Sequence, residues 1–158
     1  EPLQGGVACS FCVRSPFYRW ERRLTNADVA WAFKQKGSGA IGGVDAVDIL
    51  RRTETGRVAE LRIRGRTKSV TMKGHEFRAL LGFETLRSTA FSIEPDGDGM
   101  RFRGYGWGHG VGLCQWGTAE LAQRGLSAPE ILAVYYPHTE LVRLGEQSIQ
   151  PIRVEGGG

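Results

Sequence analysis

One segment, residues 104–117, restricts the fold of this chain more than any other. It reads Gly-Tyr-Gly-Trp-Gly-His-Gly-Val-Gly-Leu-Cys-Gln-Trp-Gly, with a glycine at almost every second position. Glycine has no Cβ and accepts positive φ, so such a run can turn sharply and lets another group approach its backbone. The segment therefore predicts a loop that a ligand or a neighbouring strand can approach closely.

The residues between these glycines carry recognisable chemistry. Tyr105, Trp107 and His109 alternate with the glycines, and Gln115 and Trp116 follow where a helix is expected to begin. Aromatic faces beside an amide and an imidazole are typical of a sugar-binding groove. The alternative is a tight loop at a sheet or barrel corner, with the tryptophans as core. A dinucleotide site is rejected, because the glycines do not stand between a buried parallel strand and a long helix.

Alternating apolar residues and turn residues predict the other elements. We expect strands at 18–24, 44–52, 58–63, 68–72, 88–93 and 100–103, and helices at 26–36, 74–81, 116–124 and 128–137. The three strands between 44 and 72 are spaced as an antiparallel meander, and Ser127 and Glu130 form a capping box for the last helix. This pattern predicts an α+β fold, with a mostly antiparallel, barrel-like sheet core and short helices, two of them near the C-terminus.

Composition excludes several classes of protein. The chain has 21 Lys+Arg and 17 Asp+Glu, a formal charge of +4, and its arginines are spread rather than grouped with aromatic residues. We therefore expect no nucleic acid partner. No apolar run is long enough to cross a bilayer, so no transmembrane segment is expected. The mild positive charge suits an anionic partner, such as an acidic wall polymer, although solubility alone accounts for it.

The three cysteines leave several interpretations open. Cys9 and Cys12 form a C-x-x-C pair, and Cys114 stands alone. Such a pair can be half of a zinc site, a redox pair or two small buried residues. A structural zinc needs four ligands, and there is no second C-x-x-C pair. For Cys114 we expect a small buried thiol.

The glycine-rich segment resembles the C-terminal signature of the stage II sporulation protein D / amidase enhancer LytB family. Downstream residues fit the same signature, namely Ala122, Gly125, 130–132 and 135–139. Upstream, residues 15–20, 74–82 and 86–91 resemble the family's S-P-x-Y-x-W, G-x-x-(F/L)-R and L-x-S-T-x-F blocks in the same order. The resemblance covers about residues 15 to 142.

The resemblance implies an extracytoplasmic domain that acts on peptidoglycan, similar to a lytic transglycosylase that cleaves between N-acetylmuramic acid and N-acetylglucosamine. There, one carboxylic acid protonates the glycosidic oxygen and the muramic 6-hydroxyl closes onto C1, so one acid/base carboxyl can suffice. The family's N-terminal block with this glutamate has no counterpart here. We therefore expect a single domain over 1–155 that lacks that block, and a flexible glycine tail over 156–158. No residue is assigned as the catalytic acid.

The resemblance also directs the choice of site residues. The expected sugar-binding residues are Tyr105, Trp107, His109, Gln115 and Trp116. Arg19 and Arg78 are candidates to pair with lactyl or stem-peptide carboxylates, against the alternative that each lies on a solvated face. Some sporulation-type relatives hold zinc near the cleft, which makes Cys9 and Cys12 candidate zinc ligands, and zinc the one candidate cofactor.

Three functions stay open at this point. The first is an enzyme domain that cleaves glycan strands. The second is a module that binds glycan or activates a wall amidase without cleaving. The third is a stable core with no function of its own. Glycan strands and a wall amidase are thus the expected partners, and the sequence leaves open whether the chain alone is catalytic.

Overall fold

The structure is a computed structural model that describes residues 10–35 and 41–142. The strands within these ranges are β1 (Arg19–Thr25), β2 (Val44–Arg52), β3 (Val58–Gly65), β4 (Ser69–Lys73), β5 (Phe91–Asp96) and β6 (Gly99–Tyr105). The helices are α1 (Asn26–Gln35), α2 (Gly74–Leu81), α3 (Gln115–Gln123) and α4 (Ala128–Tyr135). Each predicted element is present, with its boundaries within three residues of the prediction.

The six strands form two antiparallel sheets of three strands each, in the orders β1-β6-β5 and β2-β3-β4. The α+β prediction and the meander prediction are therefore confirmed. Over the described ranges the sheets stay open and do not close into a barrel. A shared core joins both sheets to α1 and α2, and its fully buried side chains include Phe33, Leu61, Phe77 and Phe102.

The capping box predicted for α4 is present, and α1 begins with a similar arrangement. At the start of α1, the Thr25 backbone N–H and hydroxyl both donate to the Asp28 carboxylate at 2.8 Å. At the start of α4, the Ser127 backbone N–H and hydroxyl donate to the Glu130 carboxylate at 2.7 and 2.6 Å. These bonds pair polar groups that a helix end leaves free, which fixes where each helix begins.

Strand β5 begins at Phe91, three residues later than predicted. The reason is Ser88, whose hydroxyl donates to the Tyr105 carbonyl at 2.6 Å and accepts the Ala90 N–H at 3.2 Å. Ser88 also pairs in parallel with Gly108. The side chain thus replaces ladder hydrogen bonds and brings residues 87–90 against the glycine-rich segment.

The last two helices have a small apolar core of their own. Leu121, Ile131 and Tyr135 are buried in it, and Phe11 packs against them. Cys114 is half-buried and its sulfur accepts the Gly117 N–H at 3.4 Å, so it caps α3 instead of being the small buried thiol that was predicted. No helix in the described part of the chain is both long and apolar enough to cross a membrane.

The outer face of the β1-β6-β5 sheet carries a ladder of ion pairs. Glu21 accepts from Arg101 at 2.8 Å and from Arg103 at 2.9 Å, and Arg103 also donates to Glu94. The hydrogen bond from Arg103 is the main reason why the pKa of Glu21 is lowered, and the charges of both arginines add to it. Because these groups are exposed, each pair contributes little to stability.

Gly104→Ala should destabilise the fold by about 1–3 kcal/mol, because a methyl group there overlaps the indole of Trp20. Urea unfolding followed by tryptophan fluorescence measures the change. Ser92→Ala, on the exposed side of neighbouring β5, is the control and should change stability by less than about 0.5 kcal/mol. Equal stability of Gly104→Ala and wild type would contradict this packing.

Glu21→Gln should lower the melting temperature slightly at pH 7, with a difference that shrinks at acid pH. A carboxylate with a lowered folded pKa stabilises the fold above its unfolded value, near 4.5, and loses this contribution as the pH falls through the folded value. Melting curves between pH 7 and pH 3 measure the effect. Glu54→Gln, which removes an exposed turn carboxylate, is the matched control and should leave the melting temperature at pH 7 unchanged.

Candidate functional site

The glycine-rich segment, residues 104–117, starts inside β6 and is held there by Trp20. The Trp20 side chain is buried against Gly104, where any Cβ would overlap the indole. Its Nε1–H donates to the Gly106 carbonyl at 3.0 Å, and the Gly106 N–H donates to the Tyr18 carbonyl at 3.0 Å. These contacts fix the point at which the segment leaves the sheet.

Beyond the sheet, the segment follows a path that other residues rarely adopt. Its φ angles are positive at Gly106 (67°), Gly108 (133°), Gly110 (75°) and Gly112 (91°). The Gly108 N–H donates to the Arg87 carbonyl at 2.8 Å, which ties the segment to the loop before β5. The alternation of glycines therefore produces a backbone that reverses repeatedly and presents the intervening side chains to solvent.

The Trp107 ring packs against two other side chains, those of Phe17 and Arg87. The rings of Phe17 and Trp107 meet edge to face, with centroids 4.6 Å apart. The guanidinium of Arg87 lies 4.7 Å from the Phe17 centroid and 5.1 Å from the Trp107 centroid. Trp107 nevertheless stays 43% exposed. Because it is packed against these two side chains and still partly exposed, its indole offers a surface on which a flat apolar ligand face can stack.

Tyr105 lies at an open groove between β1 and β6. The Arg19 guanidinium is 5.8 Å from the centre of its ring, and the Tyr18 ring is 6.2 Å away in an edge-to-face arrangement. The groove has a volume of about 320 Å³ and is lined by Arg19, Trp20, Glu21, Arg103, Gly104 and Tyr105. The structure thus brings together two of the predicted site residues, Arg19 and Tyr105.

His109 and Gln115 are exposed. The His109 Nδ1 accepts the Val111 N–H at 2.8 Å. This bond leaves the Nε2 side of the ring to face solvent, where it can donate to a hydroxyl group. Gln115 is the first residue of α3.

Trp116 lies away from the Tyr105 groove. It lines a second groove of about 150 Å³, together with Phe11, Arg14, Ser15, Ala119, Glu120 and Gln123. The predicted sugar-binding residues therefore do not form one cleft. Trp116 lies beside the small core of α3 and α4, whereas Tyr105 and Trp107 lie at the edge of the larger core.

The structure contradicts both alternatives considered for Arg78, namely pairing with a ligand carboxylate and lying on a solvated helix face. It is buried, and its guanidinium donates to the Leu86 carbonyl at 2.7 Å and the Arg87 carbonyl at 2.8 Å. Its flat face covers the Phe83 ring at 4.6 Å. With these groups engaged by backbone, Arg78 positions the loop that supports Trp107. It is neither on a solvated helix face nor placed to bind a ligand carboxylate.

Sequence reasoning missed three residues at this site: Phe17, Arg57 and Arg87. Phe17 and Arg87 support Trp107, and the Arg57 guanidinium lies against Gly110, where a Cβ would overlap it. No spacing rule relates Arg57 to a glycine 53 positions later in the chain. The glycine at position 110 indicates that some group approaches the backbone there, but it does not identify Arg57 as that group.

Three carboxyl groups deserve comparison as proton donors. Glu21 lines the groove, but its pKa is lowered by its arginine partners, so it holds its negative charge at neutral pH. Glu76 accepts the Lys73 N–H at 2.8 Å at the start of α2. The hydrogen bonds from Ser127 lower the pKa of Glu130. An acid catalyst needs a pKa near the working pH, so Glu21 and Glu130 do not fit that role.

The residues that the structure describes contain no group of three His, Cys, Asp or Glu side chains that could hold a metal ion. Cys12 is half-buried, and Cys9 lies outside the described residues. The described donors alone therefore do not make a zinc site, and the prediction that Cys9 and Cys12 bind zinc stays a prediction.

Comparison with known proteins identifies relatives of this chain. A family model described as Domain of unknown function (DUF8618) matches residues 12–112. Stage II sporulation protein D of Bacillus subtilis (strain 168) is 33% identical over 141 residues, which is 89% of this chain and 38% of that protein. The same-named protein of Bacillus amyloliquefaciens is 34% identical over 141 residues, again 89% of this chain and 38% of that protein.

A further relative is the amidase enhancer of Bacillus subtilis (strain 168), 33% identical over 73 residues, which is 46% of this chain and 10% of that protein. The resemblance stated from the motifs is thereby confirmed. The chain spans 38% of the length of the two sporulation proteins.

Arg78→Lys should destabilise the fold by about 1–3 kcal/mol, because one ammonium group cannot reproduce the two guanidinium bonds to the Leu86 and Arg87 carbonyls. Urea unfolding measures this loss. Arg22→Lys, on the exposed part of β1, is the matched control and should leave stability unchanged. If both variants behave alike, Arg78 does not hold the loop.

Proposed function

The chain belongs to the DUF8618 family and is a relative of the stage II sporulation D proteins and an amidase enhancer, and we propose that it acts on the peptidoglycan of the cell wall. Its place of action is then extracytoplasmic. The single domain predicted over residues 1–155 holds a glycan strand against the glycine-rich segment. The whole protein uses this surface in a reaction similar to that of a lytic transglycosylase.

The observation that carries this proposal is the exposed, supported indole of Trp107 beside the Tyr105 groove. Pyranose rings present flat C–H faces that stack on aromatic rings, and their hydroxyl and N-acetyl groups need hydrogen-bond partners. Around Trp107 the positive-φ glycines carry no side chains that would obstruct a bulky polymer. Arg19 and the free Nε2 side of His109 supply polar contacts along the same segment.

The cleavage proposed for the whole protein transfers one proton and needs no water nucleophile. An acid protonates the glycosidic oxygen, the C1–O bond breaks, and the muramic 6-hydroxyl bonds to C1 and passes its proton to the carboxylate that the acid has become. Trp107 and Tyr105 would bind and orient the sugar rings for this step. Glu21 and Glu130 are unsuited to donate the proton, and the family block that carries the catalytic glutamate has no counterpart here, so we expect the acid to come from outside the described residues.

A second candidate function is activation of a wall amidase without cleavage. The amidase enhancer relative favours it. So does the partial exposure of Val111 (38%), Leu113 (36%) and Trp116 (49%), which form an apolar stretch from the end of the segment into α3. An activator would contact its enzyme through this stretch. Release of soluble anhydro-muramyl products from purified glycan strands by the full-length protein would separate cleavage from activation.

Trp107→Ala should weaken binding to purified glycan strands by roughly tenfold, because it removes the stacking surface. Co-sedimentation with sacculi and titration with soluble strands measure the loss. The matched control is Trp31→Ala, since Trp31 is 63% exposed on α1 and outside the site. It should bind like wild type.

Two results would contradict this account. Equal weakening in the Trp31 and Trp107 variants would mean that tryptophans promote binding without a defined site. Full binding by Trp107→Ala would show that the sugar rings contact another surface. Melting temperatures of both variants establish that the fold is intact.

A further inference from the structure

Arg57 and Arg87, which lie beside the glycine-rich segment, are the two described arginines with a buried nitrogen that has no hydrogen-bond partner. Ion pairs within the described ranges join seven arginines to Asp or Glu: Arg14, Arg23, Arg64, Arg66, Arg101, Arg103 and Arg124. None of these ion pairs involves Arg57, Arg78 or Arg87. Arg78 donates to two carbonyl groups. Arg57 and Arg87 are left with positive charges that no carboxylate in the described residues balances.

Arg57 is half-buried, and its Nη1 atom is buried without a hydrogen-bond partner among the described residues. Its guanidinium lies against Gly110, whose missing side chain makes room for it. Burial lowers the pKa of Arg57, and the like charge of Arg57 contributes to the lowered pKa of Arg78. A buried guanidinium nitrogen without a partner costs folding free energy, so this placement of Arg57 destabilises the fold.

Arg87 contacts the same segment at Trp107. Its guanidinium lies 4.7 Å from the Phe17 ring centre and 5.1 Å from the Trp107 ring centre, and its Nε is buried without a partner in the described part of the chain. Because the Nε is buried, the terminal Nη1 and Nη2 groups are the ones that can bind a further group. The edge of an arginine carries paired N–H donors that match the two oxygens of a carboxylate.

We propose that Arg57 and Arg87 form a carboxylate-binding subsite beside Trp107, and that its ligand is a carboxylate carried by a muramyl residue of the glycan strand. The proposal rests on the proposed function, because a strand stacked on Trp107 would carry such groups past the segment. Two sources share this chemistry. One is the free lactyl carboxylate of a muramyl residue without a stem peptide, and the other is a carboxylate of the stem peptide.

Titration with three soluble ligands of equal length tests the subsite. They are glycan strands without stem peptides, glycan strands with stem peptides, and N-acetylglucosamine oligomers, which carry no carboxylate. Wild type should bind one or both muramyl strands roughly tenfold more tightly than the oligomers. Preference for the first or second strand identifies the lactyl group or the stem peptide as the source.

Arg57→Gln should abolish that preference while keeping the affinity for N-acetylglucosamine oligomers. The control is Arg62→Gln, which removes the same charge from an exposed position on β3 and should keep the preference. Loss of preference in both variants would overturn the subsite in favour of general electrostatic attraction. A wild type that binds all three ligands equally overturns the subsite alone, whereas a wild type that binds none overturns the proposed function.

Stability gives a second, independent readout. If Arg57 is kept for a ligand, Arg57→Gln should have a melting temperature equal to or above that of wild type, because an uncompensated charge is removed. A merely structural role predicts a lower melting temperature and equally weakened binding of all three ligands. That pair of results would overturn the proposal.

Discussion

The close approach of two side chains to one glycine-rich backbone is the constraint on which the rest of the site depends. Trp20 packs on Gly104 inside the sheet, and the Arg57 guanidinium lies against Gly110 beyond it. A Cβ at Gly104 would overlap the Trp20 indole, and one at Gly110 would displace the Arg57 guanidinium. Between these two points the chain has positive φ angles that glycine adopts at little cost. The segment is therefore fixed at its base, and Trp107 and Tyr105 are held in the open by backbone geometry.

Local patterns predicted the elements and the caps, because these depend on residues close in sequence. Ser127 and Glu130 form the expected capping box. The α+β class also follows from the order of the elements. Ser88 was the exception, since its hydroxyl bonds to the distant carbonyl of Tyr105 and delays β5. That contact is set by tertiary packing and has no local signature.

The site was predictable in part. The glycine alternation and its aromatic residues identified the segment, and the resemblance to the sporulation family gave it a meaning. The sequence could not show that Trp116 lies in a separate groove, or that the Arg78 guanidinium donates its hydrogen bonds to backbone carbonyls. It also gave no indication that the Arg87 guanidinium packs against the Trp107 ring. These contacts form when the loop before β5 packs against the glycine-rich segment. The residues are far apart in sequence, and a local periodic pattern does not relate them.

The central claim is that the glycine-rich segment is the surface that contacts the glycan. Hydrogen exchange of backbone amides, measured with and without soluble glycan strands, tests it most directly. The account predicts slower exchange over 105–112 and at the supporting residues Phe17 and Arg87, with no change in α1 or β4. Protection confined to α3 and α4, or to the exposed face of β2-β3-β4, would contradict it.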